Sequence, residues 1–298
     1  MSLPAIHVDG IDFKTSDGHI FKAVGSTEFA LFKRWLMREG PMALVEPILN
    51  ERKRIAREGG YDGPLVARVM RYAAPPNAFA LDPWSYPMTE VTAFTQFCEA
   101  HGWYVDWTCG DAQIVLPNPD GPRGQQQHLN EFCAALVPCN NAIVQTCNEP
   151  FKNGIDVERV KSPRWGHYLR YSGAYGESGS WPFAADLDFR GYHGSRDVGG
   201  LSPWPKWLID MNDQGAILSA MSPRLPAILD EPIGADEVDI PGRRSNRPDC
   251  FARMGMTIAY CAGVYFHSTP GLSSDGFGPT VTQCFRAFCR GIAAGLSV

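Results

Sequence analysis

Apolar runs of strand length alternate with segments of helical periodicity along almost the whole chain, and this alternation restricts the fold more than any other feature. The strand-like runs fall at 21–25, 65–70, 103–107, 141–146, 167–172, 185–189, 227–230 and 263–266. Helical periodicity covers 41–58, 88–100, 125–136, 205–220, 248–260 and 280–294. In the first of these, Leu44, Val45, Ile48 and Leu49 share one side, and Glu51, Arg52, Lys53 and Arg54 follow. Parallel strands need crossovers of a dozen or more residues, usually a helix. Eight strands, most followed by a helix, are the arithmetic of a (β/α)₈ TIM barrel in the α/β class. An open doubly wound sheet is the rival, but no GxGxxG or P-loop turn follows the first strand.

The chain has 298 residues, which fits one barrel of about 250 residues with insertions. No low-complexity linker, charge block or internal repeat divides it, so one domain is expected over 1–298. Its first 20 residues read as a hairpin region: 6–13 and 19–24 are short strands around the turn Ser16-Asp17-Gly18. With 44% hydrophobic residues, a large core is available.

Charge narrows the partners. Lys and Arg number 27 against 32 Asp and Glu, a formal charge of -5, and no basic run supplies the stripe that neutralises phosphates. Nucleic acid is therefore not an expected partner. No stretch reaches 18 uninterrupted apolar residues, so no membrane partner is expected. The start, MSLPAIHVDG, lacks the charged and apolar regions of a secretory signal. The reading is a cytoplasmic protein, or one released by a route other than a signal peptide. Nine cysteines form no CxxC pair and sit mostly in apolar company, as small buried hydrophobes in reduced form.

In such barrels the chemistry comes from the C-terminal ends of the strands. Two carboxylates stand there, in Asn148-Glu149-Pro150 after the fourth strand and in Asp230-Glu231-Pro232 after the seventh. Each glutamate ends an apolar strand, and the proline after it starts a loop. Strand alternation lets only one of Asp230 and Glu231 face the barrel axis, and Glu231 is taken as that residue. Paired carboxylates across a barrel mouth are what glycoside hydrolysis requires, one to protonate the leaving oxygen and one to attack the anomeric carbon or activate water. Glu28, Asp106 and Asp111 near strands one and three are further acids, read as structural or substrate-binding.

Asn148-Glu149-Pro150 resembles the strand-four acid/base signature of clan A glycoside hydrolases, the retaining (β/α)₈ enzymes that include the cellulase-like family 5. Glu231 falls where their strand-seven nucleophile would be. The resemblance implies Glu149 as acid/base, Glu231 as nucleophile and Asn148 as the residue that holds the sugar 2-hydroxyl. It also implies a strand-two arginine beside the nucleophile, for which Arg68 is chosen and Arg71 stays open. Past strand six it implies a His or Tyr, and Tyr192 and His193 supply both. The opening hairpin is similar to the start of many cellulase-like domains. Where the family often has a strand-eight tryptophan under the −1 sugar, this chain has Tyr265-Phe266-His267, and His267 is the candidate substrate contact.

Of eight tryptophans, Trp107, Trp181 and Trp204 lie past strands or in loops and are the expected stacking platforms for sugar rings. Trp35 and Trp207 lie in helical patterns and read as core. No HExxH or HxH supports a metal, and no cofactor is expected. Gly176-Glu-Ser-Gly-Ser180 misses the GxSxG spacing of serine hydrolases by one residue. The expected function is a retaining glycoside hydrolase acting on a β-linked oligo- or polysaccharide, with a carbohydrate as its partner. The alternatives are a non-catalytic carbohydrate-binding barrel and another enzyme class on the same barrel.

Overall fold

The computed structural model describes residues 2–37, 41–71, 86–109, 122–145, 169–171, 188–192, 225–231, 234–240 and 244–298. The chain opens with three short antiparallel strands, β1 (Ile6–Asp9), β2 (Asp12–Thr15) and β3 (Ile20–Phe21). The expected strand over 6–13 is thus two strands, because Gly10 takes φ +64° and turns the chain between them.

A curled parallel sheet follows, built from β4 (Ala23–Thr27), β5 (Leu65–Met70), β6 (Trp103–Thr108), β7 (Ala142–Gln145) and β8 (Leu169–Tyr171). It continues with β9 (Arg190–Tyr192) and β10 (Ala227–Leu229). The short β11 (Gly234–Ala235) and β12 (Arg244–Ser245) extend one end of the last strand, β13 (Gly263–Ser268). β13 pairs in parallel with β4, so the sheet curls back on its first strand. Around the curl the order is β9-β10-β13-β4-β5-β6-β7-β8, with parallel pairing at every step. The β8–β9 junction is not among the described pairs.

The helices are α1 (Leu31–Leu36), α2 (Pro41–Glu58), α3 (Met88–Ala100), α4 (Pro122–Leu136), α5 (Pro248–Met256), α6 (Thr269–Ser273) and α7 (Pro279–Gly295). Four of the expected helices match α2, α3, α4 and α7 to within a few residues at each end. The fifth, over 248–260, is α5 continued by a 3₁₀ turn at Thr257–Tyr260. The expected helix over 205–220 lies outside the described residues. Strand six was expected at 185–189, whereas β9 starts at Arg190. Phe189 is instead spent on packing, its ring edge-on to Phe13 at 5.4 Å.

The sheet separates two apolar cores. On its outer face Ala67, Val69, Val105, Trp107 and Val144 meet the helices. On its inner face Ala23, Val66, Tyr104, Ile143, Ile228 and Tyr265 pack with Ile6, Phe13 and Phe21 of the opening strands. Phe21 lies 4.7 Å from Tyr104 between ring centroids, and Tyr104 Oη donates to the Pro4 carbonyl at 2.8 Å. The opening strands therefore close the N-terminal end of the curl, each buried aromatic there contributing about 1.5–3 kcal/mol. Gly25 is obligatory in β4, because a Cβ there would stand 2.0 Å from the Val66 carbonyl oxygen of β5.

The eight cysteines among the described residues are all buried, and none of them is in a disulfide. Burial pushes the thiols of Cys139, Cys261 and Cys284 up to about 12, so they stay protonated at neutral pH. No described helix is long and apolar enough to cross a membrane.

Candidate active site

Strand parity carries the inner face from apolar to charged as it approaches the C-terminal ends. Two residues beyond Val66 is Arg68, two beyond Tyr104 is Asp106, two beyond Ile143 is Gln145, and two beyond Ile228 is Asp230. All four are completely buried. On β13 the same step leads from Tyr265 to His267, which is 2% exposed.

Arg68 is the hub. Its Nη1 donates to Glu231 Oε1 at 2.6 Å, and its Nη2 stands 3.5 Å from Asp230 Oδ2. Its Nε and Nη2 donate to Gln145 Oε1 at 3.3 and 2.8 Å, and the same oxygen accepts from Thr108 Oγ1 at 2.5 Å. The guanidinium is thus held by Gln145 of β7, itself fixed by Thr108 of β6, while one nitrogen faces Glu231. The Phe29 ring lies to one side, 5.2 Å from Arg68 Cζ. Glu231 follows β10 after the regular alternation has ended, so both it and Asp230 reach the same cation. Glu231 is 5% exposed, and Asp230 lies wholly inside.

Around the hub, Tyr265 Oη donates to Asp106 Oδ2 at 3.0 Å. Burial and the neighbouring Asp106 carboxylate push the Tyr265 hydroxyl well above its usual range, which keeps it a donor. His267 Nδ1 lies 3.1 Å from Thr27 Oγ1, beside Phe29. Glu28 is tied to α2 by Arg52, whose Nε donates to Oε1 at 2.7 Å, and accepts from Ser26 Oγ at 3.0 Å. It is a structural acid joining β4 to α2.

Arg71 goes elsewhere. Three residues after Arg68, its Nε donates to Tyr86 Oη at 3.1 Å and its Nη2 lies 3.2 Å from His128 Nδ1. Its Cζ stands 4.6 Å from the centre of the Phe132 ring on α4. It faces the helices, so the cation beside Glu231 is Arg68.

Trp107 requires a correction. It is fully buried on the outer face, edge-on to Phe32, Phe94 and Phe132, with Nε1 donating to Thr95 Oγ1 at 3.1 Å. Odd positions of β6 face the helices, so Trp107 is core and offers no face to a sugar. Asn148, Glu149, His193, Trp181, Trp204 and Asp111 lie outside the described residues. Tyr192 ends β9, which runs beside β10 in register Leu229 to Tyr192. Gln145, Thr108 and Asp230 were not expected at the site. Strand parity, counted on from Tyr104, Ile143 and Ile228, would have pointed to each of them.

No protein-family profile matches the chain, and no curated protein matches it in sequence. Solved structures do match. A glycoside hydrolase family 5 from Bacteroides vulgatus aligns over 92% of this chain and 65% of its own, at 12% identity and TM-score 0.60. The endo-1,4-beta-mannanase of Rhizomucor miehei aligns over 98% of this chain and 99% of its own, at 13% identity and TM-score 0.61. The beta-mannanase of the blue mussel Mytilus edulis covers 96% of each chain, at 11% identity and TM-score 0.53. The curled parallel sheet and its helices are therefore the fold found in family 5 glycoside hydrolases.

Proposed function

We propose that the chain is a retaining clan A glycoside hydrolase, a single (β/α)₈ barrel over 1–298 whose sheet closes between β8 and β9. The observation that carries this reading is the strand-seven glutamate, Glu231, ion-paired at 2.6 Å to a buried strand-two arginine whose other nitrogens are already engaged. An arginine so placed keeps Glu231 ionised and aims its carboxylate, which a nucleophile requires.

In the first half-reaction Glu231 attacks the anomeric carbon while Glu149 gives its proton to the leaving oxygen, and the glycosidic C–O bond breaks. In the second, Glu149 takes a proton from water, the water oxygen attacks the anomeric carbon, and Glu231 leaves as carboxylate. Asn148 holds the 2-hydroxyl, Tyr192 or His193 donates to Glu231, and Trp181 and Trp204 stack on sugar rings. His267 and Phe29 border the sugar nearest the nucleophile. The substrate is a β-linked oligo- or polysaccharide, and the two mannanases that align along nearly their whole length make β-1,4-mannan the first to try.

A panel of aryl β-glycosides and β-linked polysaccharides, with the product anomer followed by NMR, tests the reading. Release of the β-anomer first is the expected result. Release of the α-anomer would mean inversion, and no turnover on any glycoside would favour a carbohydrate-binding barrel.

A further inference from the structure

Two consecutive carboxylates share one guanidinium at the mouth of the curl. Glu231 Oε1 is 2.6 Å from Arg68 Nη1, and Asp230 Oδ2 is 3.5 Å from Nη2. Asp230 is completely buried, and a carboxyl in that position has no water to screen its charge from the neighbouring carboxylate. Among the described side chains, the charged and titratable groups that face the pair come from three strands: Arg68 on β5, Asp106 on β6, and Tyr265 and His267 on β13; the proposed function adds Glu149 and Tyr192 or His193. Tyr265 is engaged as donor to Asp106, and His267 rests against Thr27. Gln145 and Thr108 add hydrogen bonds but no charge. Arg68 is thus the one full cation among the described residues of this inner layer, set against three carboxyl groups.

We propose that Asp230 is a positioning residue that sets the ionisation of Glu231 through the guanidinium they share, an inference that rests on Glu231 being the nucleophile. The negative charge of Asp230 draws on the same cation and opposes ionisation of its neighbour, as like charges in one site do. Arg68 and Asp230 act in opposite senses. The arginine holds Glu231 ionised, and the aspartate keeps that stabilisation from becoming so strong that the carboxylate loses its nucleophilicity.

The test is a ¹³C titration of the glutamate side-chain carboxyls in the full chain, with the Glu231 signal identified by its loss in Glu231→Gln. Asp230→Asn keeps the shape and removes the charge. The Glu231 midpoint should fall by about one pH unit or more, and the acidic limb of kcat/KM should move the same way. An unmoved or raised midpoint in the folded variant overturns the proposal, since a purely structural Asp230 would cost stability or kcat without shifting it. If Asp230→Asn does not fold, Asp230→Ser is titrated in its place, with a lowered Glu231 midpoint expected and an unmoved or raised one the contrary result. The readout needs no substrate. Absence of glycosidase activity with a shifted midpoint would remove the functional reading and leave the electrostatic one standing.

Discussion

Arg68 and Arg71 are three residues apart, both completely buried, and they live in opposite environments. Arg68 points into the curl, where it meets Glu231 and Asp230 and is steadied by Gln145. Arg71 points toward α3 and α4, where its partners are the neutral Tyr86, His128 and Met88 and the Phe132 ring. A step of three residues crosses the sheet, because side chains alternate between faces. The inner face collects charge around one cation near the strand ends, whereas on the outer face Arg71 meets neutral groups and Glu28 is paired with Arg52. A buried cation therefore reads as functional only when its parity matches the lumen.

The largest break in the comparison should come from replacing each arginine with methionine. Arg68→Met strands two buried carboxyl groups, and breaking such a pair costs about 3–5 kcal/mol of stability. In the fraction that remains folded, kcat/KM at neutral pH should fall by about a hundredfold or more, with the acidic limb displaced upward by about one to three pH units. Steady-state rates across pH check both numbers. An unchanged acidic limb would take the nucleophile's cation away from Arg68.

Gln145→Leu should have the next largest effect. It keeps the volume but removes the acceptor of three donors, leaving Arg68 free to rotate off Glu231. A loss of about tenfold in kcat with KM nearly unchanged is expected, roughly what one lost charge-assisted hydrogen bond is worth. Rescue by Gln145→Glu is not expected, since a carboxylate there adds a further negative charge beside Glu231.

Arg71→Met should lie at the other end of the activity scale, within about threefold of the parent in kcat/KM. Replacing a buried cation by an apolar side chain of similar volume is often neutral in stability or better, and chemical denaturation measures it.

The helix-facing arginine should show itself through pH instead. Burial and the adjacent Arg71 hold His128 down at about 3, against its ordinary 6.5. Between those values the unfolded chain binds a proton that the native protein refuses, so this contribution to stability is fully present above 6.5. It is lost as pH falls toward about 3, with a slope of up to about 1.4 kcal/mol per pH unit. Urea unfolding at several pH values should show this slope shrink in His128→Phe. A parent whose stability is flat from pH 7 to 4 would place a charged imidazole in the native state.

Much of this architecture is legible in the sequence because the period changes so regularly. Leu65–Met70 and Trp103–Thr108 are unbroken buried strands between amphipathic helices, as both-face burial in a parallel sheet demands. Continuous apolar runs do not announce which residues face inward, which is why Trp107 looked available to a sugar while lying against Phe94 and Phe132. The hub was half legible. Arg68 and Glu231 stand at strand ends that can be counted, whereas Gln145 and Asp230 emerge only when the inner-face parity is carried to the last residue of β7 and one residue past β10. Strand six was misplaced because Phe189, apolar and next to the strand, belongs to the plug beneath the sheet.

The central claim is that Glu231 is the nucleophile and Glu149 the acid/base. The configuration of the glycosyl azide formed when azide rescues each alanine variant on an activated aryl β-glycoside tests it most directly. Glu149→Ala still forms the glycosyl-enzyme, and azide attack on that α-linked intermediate should give the β-azide. Glu231→Ala forms no covalent intermediate, and direct attack by azide in the vacated space should give the α-azide. Products of the opposite configurations, or no rescue in either folded variant, would contradict the assignment.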